Sequence, residues 1–153
     1  MDWLELKVPP PAVALLVGLL MWFASQLVAP AEVPLGIRLG VSVVLACTGL
    51  PIGLAGIVSF RRAKTTINPT KPGAASSLVT AGVFGFTRNP MYLSLLLYLV
   101  GWAVYLSSWL AALFLPVFVL YINRFQIEPE ERALSSLFGS EYAAYMRRVR
   151  RWL

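Results

Sequence analysis

The spacing of the charged residues is the feature that most constrains this chain. No charged residue lies between Arg38 and Arg61, and none lies between Arg88 and Arg124. Gaps of this length match a lipid bilayer, because a membrane-spanning helix needs about 20 apolar residues. Only 13% of the residues are charged and 58% are hydrophobic, whereas an ordinary soluble domain carries about 25% charged residues. The sequence therefore predicts an all-α integral membrane protein that forms a single membrane domain over residues 1–153.

The uncharged segments are long enough for about four transmembrane helices. The run Asn89–Ile122 would form a single helix of roughly 50 Å, well beyond the roughly 30 Å hydrocarbon core. Two short spans that turn near Ser107 and Ser108 fit the bilayer better, so the last two helices are expected to form a short hairpin. The predicted spans are residues 8–31, 36–60, 91–107 and 108–123.

Basic residues concentrate in two regions of the chain. The net charge is +6, and most of the 13 lysines and arginines lie in the predicted loop 61–90 or from Arg124 onward. The positive-inside rule places both regions, and with four spans also both termini, in the cytoplasm. The positive charge is thus explained without a nucleic-acid partner. Asp2 and Glu5 near the N-terminus argue against a cleaved secretory signal.

The residue types that bind metals and form disulfides are nearly absent. The chain has no histidine, and its one cysteine, Cys47, lies in the middle of a predicted span. We therefore expect no disulfide within the chain and no metal site. The absence of histidine also removes the commonest general base from any catalytic mechanism.

The tail, residues 128–153, is predicted to form cytoplasmic or interfacial helices. Pro129 suits a first helical position and the neighbouring acidic residues suit a helix N-terminus, so a helix is expected to begin at Glu128. Gly139 predicts the end of that helix, and a second helix is expected to run to the end of the sequence. Its apolar face opposes a run of arginines, which predicts that it lies on the membrane surface. That face comprises Tyr142, Tyr145, Val149 and Trp152.

Three groups of polar residues fall on the predicted cytoplasmic side. They are Thr-Arg-Asn-Pro-Met-Tyr at 87–92, Asn-Arg at 123–124, and Glu-Glu-Arg-Ala-Leu at 130–134 followed by Phe-Gly at 138–139 and Glu-Tyr at 141–142. In this order and spacing the chain resembles the isoprenylcysteine carboxyl methyltransferase and phospholipid methyltransferase group of membrane enzymes over about residues 60–152. Segments 65–69 and 78–82 are also similar to the family's approach to its site. Asn89 stands where many eukaryotic members carry histidine, so a hydrogen-bonding role is expected there.

The resemblance implies that the protein binds S-adenosyl-L-methionine on the cytoplasmic side. Glu130 or Glu131 is expected to bind the amino group of this donor, and Arg88 or Arg124 its carboxylate. An aromatic face would stabilise the sulfonium. The expected catalytic residues are Arg88, Asn89, Tyr92 and Glu131. The expected cofactor-binding residues are Thr80, Gly82, Arg88, Pro90, Tyr92, Arg124, Glu130, Glu131, Tyr142 and Tyr145.

The methyl acceptor is expected to be a lipophilic small molecule or lipid whose apolar part is held between the helices, among membrane lipids. A carboxylate needs no general base and a thiol needs little, so the absence of histidine favours an isoprenylcysteine-like carboxylate or thiol. N-methylation of a phospholipid amine is the first alternative. An NADPH-dependent reductase, because membrane sterol reductases resemble the same half of the chain, and a non-catalytic lipid-binding scaffold also stay open. No oligomeric state follows from the sequence.

Overall fold

The computed structural model describes residues 5–64 and 75–153. Within these residues the chain is helical and contains no β-strand, as the sequence predicts. The helices are α1 (Pro10–Ser25), α2 (Leu35–Arg62), α3 (Pro90–Leu106), α4 (Trp109–Ala112), α5 (Phe114–Ile122) and α6 (Glu128–Arg148). A 3-10 turn, Gly82–Gly85, precedes α3, and a π-helical segment, Asn123–Ile127, precedes α6. Residues 65–69, whose sequence is similar to the family's approach to its site, and Lys71 of the basic loop lie outside the described residues.

Two of the described helical stretches, Leu35–Arg62 and Trp109–Arg148, are long and apolar enough to cross a membrane. Helices α1 and α3 have 16 and 17 residues, and at 1.5 Å per residue each extends over roughly 25 Å. Large apolar side chains cover the outside, for example Leu15 at 72% and Leu27 at 78% exposure. Apolar surface of this extent is typical of a protein whose solvent is lipid.

Helix α3 packs along α2 and also contacts α1 and α5. Gly49 and Gly53 lie one helical turn apart in α2, a spacing that predicts close approach of a second helix. A Cβ atom added at Gly49 or Gly53 would lie 3.1 Å or 2.7 Å from a side chain of α3, so this prediction is confirmed. Gly36 and Gly40 have a similar spacing, but an added Cβ there would meet no atom of the described residues within 4 Å. Of these two glycine pairs, the second therefore brings helices together within the described residues.

Ser107 and Ser108 form the turn between α3 and α4. Ser107 ends α3 in the left-handed region, with a φ of 52°, and the Ser108 hydroxyl accepts a hydrogen bond of 3.4 Å from the backbone N–H of Ala111 at the start of α4. Ser107 also fastens the segment before α2, because its carbonyl accepts from the N–H of Ala31 at 2.7 Å and its hydroxyl donates to the carbonyl of Ala31 at 3.0 Å. The chain thus turns at the two serines that favour a turn in the sequence.

An α-helix begins at Glu128 as predicted, but no break separates it from the helical segment before it. Helix α5, the π-helical segment Asn123–Ile127 and α6 follow one another without leaving helical geometry. Pro129 has no N–H, so it cannot bond to the carbonyl of Phe125 four residues earlier. That carbonyl instead accepts a hydrogen bond of 3.0 Å from the N–H of Leu6. The acidic residues around Pro129 consequently cap no helix end, and their carboxylates are available to other partners.

The predicted helix break at Gly139 is confirmed, since this residue has a φ of 47° within α6. The helix then resumes but ends at Arg148, where the sequence predicted that it would continue. Val149 is extended, with φ −122° and ψ 133°. We call the non-helical residues 149–152 the strap.

The apolar face of the tail does not lie on the membrane surface as predicted. Tyr142, Tyr145 and Val149 are only 3%, 5% and 3% exposed. They pack against Phe84 and its apolar neighbours Leu78, Val79 and Val83. The segment before α3 therefore covers this face in place of lipid, which the arginine run in the sequence does not reveal.

Candidate active site

A pocket opens where the end of α2, the beginning of α3 and the first turns of α6 meet. Its empty space, counted with the open mouth, is about 830 Å³. Most of the wall is apolar and includes Phe60, Phe84, Tyr92, Tyr142 and Tyr145. The polar groups in the wall come chiefly from Arg88, Asn89, Glu130 and Glu131. A concave apolar site with a few convergent polar groups is the usual form of a small-molecule site.

The beginning of α3 brings Arg88 and Asn89 to the pocket. Pro90 occupies the first helical position, where its missing N–H costs nothing, and Asn89 precedes it as the cap residue. The hydroxyl of Thr87, which is 1% exposed, accepts a hydrogen bond of 3.2 Å from the N–H of Asn89. The rigid turn fixes the direction in which the Arg88 side chain leaves the backbone.

Glu131 is held between two arginines. Its Oε1 lies 2.7 Å from Nη2 of Arg88, and its Oε2 lies 2.6 Å from Nη2 of Arg151. Arg151 also donates from Nε to Oε1 at 3.1 Å, so it grips the carboxylate with two bonds. The side chains of Arg88 and Glu131 are only 12% and 16% exposed. Nε of Arg88 is buried and has no hydrogen-bond partner among the described residues.

Glu130, by contrast, has no cationic partner within the described part of the chain. Its Oε1 accepts hydrogen bonds from the hydroxyl of Tyr92 at 2.5 Å and from Nε2 of Gln126 at 2.6 Å. Glu130 lies after the apolar part of the continuous helix. Burial raises the pKa of its carboxyl to about 7, because this effect outweighs the two hydrogen bonds, which lower the pKa. A buried carboxylate with a raised pKa beside an open pocket is a candidate binding group for a cation.

Comparison with known proteins places this site in a family. The profile of the phospholipid methyltransferase family matches residues 37–141, which include the beginning of α3 and both glutamates. The chain belongs to this family. The resemblance found in the sequence is thereby confirmed, and the family is one of methyltransferases.

Three curated relatives show how far the similarity extends. An uncharacterized protein of Haemophilus influenzae is 54% identical over 63 residues, which are 41% of this chain and 100% of that protein. Protein-S-isoprenylcysteine O-methyltransferase B of Arabidopsis thaliana is 31% identical over 61% of this chain and 47% of its own length. The protein-S-isoprenylcysteine O-methyltransferase of Schizosaccharomyces pombe is 24% identical over 67% of this chain and 44% of its own. The chain thus spans about half the length of these two named methyltransferases, and no solved structure matches it significantly.

Two tyrosines of α6, Tyr142 and Tyr145, complete the aromatic wall of the pocket. The hydroxyl of Tyr145 donates to the carbonyl of Phe84 at 2.7 Å, and burial raises its pKa to about 12. Burial also raises the pKa of Tyr142 far above its ordinary value, and its hydroxyl bonds to no described residue. Both rings therefore stay neutral and offer aromatic faces, which suit a cation in contact with the pocket wall.

Asn89 holds the strap against the beginning of α3 by a hydrogen bond. Its Nδ2 donates to the carbonyl of Arg151 at 2.9 Å, and the Thr87 hydroxyl donates to the same carbonyl at 3.3 Å. Such a bond needs no titrating group, which agrees with the hydrogen-bonding role expected at this position.

Three residues expected at the cofactor site do not line the pocket. Arg124 is 41% exposed and pairs with Glu5 at 2.5 Å and Glu128 at 3.8 Å. Thr80 and Gly82 lie in the segment before α3, where Gly82 adopts a φ of 65° and opens the 3-10 turn. Glycine meets this backbone requirement without strain, so Gly82 has a structural role at this turn.

One participant was missed from the sequence. Arg151 belongs to a run of four arginines at 147–151, and no local pattern distinguishes it from its neighbours. The structure separates them, because Arg147, Arg148 and Arg150 are exposed whereas Arg151 turns inward to Glu131. Only the path of the strap reveals this difference.

Proposed function

We propose that this protein transfers a methyl group from S-adenosyl-L-methionine to a lipophilic acceptor with an isoprenylcysteine-like carboxylate or thiol, at the cytoplasmic face of a membrane. The observation that carries this proposal is the pair of opposite charges in the aromatic pocket: among the described residues, Glu130 has no cationic partner and the buried Nε of Arg88 has no hydrogen-bond partner. The family match supports methyl transfer over the reductase and scaffold alternatives.

The groups in the pocket match the amino-acid end of the donor. An ammonium would be held by Glu130, the carboxylate that no described cation neutralises. The donor's carboxylate would be held by Arg88, whose guanidinium is built for planar bidentate recognition. The faces of Tyr92, Tyr142 and Tyr145 suit the sulfonium. The residues present therefore fit this cofactor.

When bound, the donor supplies an activated methyl group whose sulfur leaves as a neutral sulfide that needs no proton. The protein's task is accordingly to align the donor with the acceptor and to exclude water, and alignment alone supplies a large part of the rate. The rigid turn at Asn89 and the buried ion pairs of Glu131 hold the polar groups in fixed positions. The apolar wall keeps water from the reacting atoms.

The membrane arrangement is part of the proposal. The helices α1, α2, α3 and the stretch from α4 to α5 cross the bilayer, with both termini and the pocket in the cytoplasm. Two observations support it: the stretches Leu35–Arg62 and Trp109–Arg148 are long and apolar enough to cross, and Arg61 and Arg62 lie at the pocket end of α2, next to Phe60 in its wall. The positive-inside rule places such residues in the cytoplasm.

A phospholipid amine is the second candidate acceptor, and the family matched by the chain is named for phospholipid methylation. An amine arrives protonated at neutral pH and needs a base. Glu130, with its pKa raised to about 7, is suited to accept that proton. The carboxylate or thiol acceptor is favoured by the two relatives that are named protein-S-isoprenylcysteine O-methyltransferases.

The proposal is tested by isothermal titration of the detergent-purified protein with S-adenosylhomocysteine, the product form of the donor. We expect saturable binding that weakens by at least about tenfold in Glu130→Gln, because a charge-assisted bond is lost. Glu141→Gln is the matched control, since Glu141 is an exposed residue of the same helix. A folded protein that binds no S-adenosylhomocysteine would refute the proposal.

The acceptor is identified by transfer of a labelled methyl group. The purified protein receives the labelled donor with one of three acceptors: a farnesylated cysteine derivative that bears a free carboxylate, a lipophilic free thiol, or phosphatidylethanolamine vesicles. Label in a base-labile ester indicates the carboxylate, label in a thioether indicates a thiol, and label in the lipid amine indicates the second candidate.

A further inference from the structure

We propose that Arg151 is a positioning residue of the donor site: it neutralises Glu131, so that the charge of Arg88 remains available to an anionic group bound in the pocket. This inference rests on the proposed function, and it adds a residue outside the family match, which ends at residue 141. It concerns the strap, a segment that no comparison assigns to the site.

The first support is the geometry around Glu131. Arg151 takes up both oxygens of this carboxylate, at 2.6 Å and 3.1 Å, whereas Arg88 makes one bond to it at 2.7 Å. Two parallel bonds from one guanidinium form the stronger and more specific of the two pairings. Arg151 is 32% exposed and does not line the pocket, while Arg88 does. The charge of the Arg151 side chain thus acts on the pocket through Glu131.

The second support is the balance of charge. Arg88, Glu131 and Arg151 together carry one net positive charge, and Nε of Arg88 is buried with no hydrogen-bond partner in the described part of the chain. If Arg151 were uncharged, Glu131 and Arg88 would form a closed neutral pair, and a bound anion would have to compete with Glu131 for the guanidinium. With Arg151 in place, the surplus charge lies next to the pocket, where it attracts an anion.

The third support is the way in which the strap is fastened. The N–H of Arg88 donates to the carbonyl of Arg150 at 3.0 Å, and the side chain of Asn89 donates to the carbonyl of Arg151 at 2.9 Å. Beyond these bonds, Nε1 of Trp152 donates to Oδ1 of Asn123 at 3.0 Å. The backbone on both sides of the Arg151 side chain is therefore fixed to the same turn that carries Arg88, which sets the distance between the two arginines.

The test compares two ligands in two variants. S-adenosylhomocysteine carries the ammonium and the carboxylate, whereas its decarboxylated analogue keeps only the ammonium. Arg151→Gln should weaken the binding of S-adenosylhomocysteine by about tenfold and leave the binding of the analogue within about twofold of wild type, since only the carboxylate uses Arg88. Arg150→Gln, which alters an exposed neighbour and keeps the backbone bonds, should change neither affinity. Arg151→Lys should recover part of the loss, because lysine restores the charge without the bidentate grip.

Each outcome decides between the two proposals. Equal affinity of wild type and Arg151→Gln for S-adenosylhomocysteine would overturn the positioning role, and so would a similar loss for both ligands, which indicates a general collapse of the pocket. If wild type itself bound neither ligand, the proposed function would fail first and the positioning role with it. A loss confined to the carboxylate-bearing ligand and reduced in Arg151→Lys would establish the inference.

Discussion

Binding of S-adenosylhomocysteine is expected to strengthen as the pH rises through 7, because Glu130 must be ionised to hold the ligand's ammonium. Burial raises the pKa of this carboxyl from 4.5 to about 7. Roughly one tenth of the molecules then carry the carboxylate at about pH 6 and roughly nine tenths at about pH 8. The affinity should therefore rise about tenfold across this interval, with a proton released on binding below pH 7.

The assay is a series of calorimetric titrations in detergent between those two pH values, in two buffers of different ionisation enthalpy, so that the released proton is counted directly. Glu130→Gln should bind more weakly and lose the pH dependence, because the amide does not titrate. Glu141→Gln should retain it. An affinity in wild type that stays constant across the interval, or a pH dependence that survives in Glu130→Gln, would refute the assignment of Glu130 to the ammonium.

The same shift in pKa has a consequence for the ligand-free protein. The folded protein keeps the proton of Glu130 up to about pH 7, whereas the unfolded chain releases it near 4.5. The stability that comes from the protonated carboxyl is fully present below pH 4.5 and is lost as the pH rises through 7. Glu130→Gln should consequently melt at a higher temperature than wild type above pH 7, with a difference that shrinks as the pH falls.

Three further outcomes are expected. Glu131→Gln should lower methyl transfer by at least about tenfold in a folded protein, whereas Glu131→Ala should also lower the melting temperature, since loss of one partner of a buried ion pair typically costs about 3–5 kcal/mol. Arg124→Gln should keep the affinity for S-adenosylhomocysteine within about twofold in a titration, because Arg124 lies outside the pocket; a tenfold loss would show that it reaches the donor. Gly49→Ala should lower the melting temperature in detergent, because its new methyl group meets α3 at 3.1 Å, whereas Gly40→Ala should leave it unchanged or slightly higher; equal melting temperatures would contradict the tight contact.

The parts of the site that could be predicted from the sequence are those that lie close together along the chain. Arg88, Asn89 and Tyr92 stand within one turn of a helix start, and Glu130 and Glu131 are adjacent. Local rules for proline, serine and glycine also locate the turn at Ser107 and the break at Gly139, because each residue type restricts its own backbone. The structure brings both groups around one pocket.

The remaining features depend on partners far away in the sequence. Arg124 was expected to bind the cofactor, but Glu5, 119 residues away, takes up its charge. Helix α6 begins at Glu128 as expected, but it continues the preceding helix without a break, and the N–H of Leu6 satisfies the carbonyl that Pro129 leaves open. The sequence placed Arg151 among the arginines on the polar face of a surface helix, because its partner Glu131 lies 20 residues earlier. Patterns of charge and of helix-forming residues cannot identify such partners, because these patterns describe only residues that are close together in the sequence.

The glycine contacts between α2 and α3 limit the route by which a hydrocarbon chain reaches the pocket. At Gly49, Gly53 and Gly56 even one added carbon atom would lie within 3.2 Å of α3. A fatty acyl or isoprenyl chain is wider than one methyl group, so it cannot pass through this seam. Gly56 faces Pro90 and Met91, which belong to the pocket wall. The close contact between α2 and α3 therefore extends up to the pocket. Under the proposed function, an acceptor dissolved in the bilayer would therefore diffuse around this pair of helices and arrive from another side.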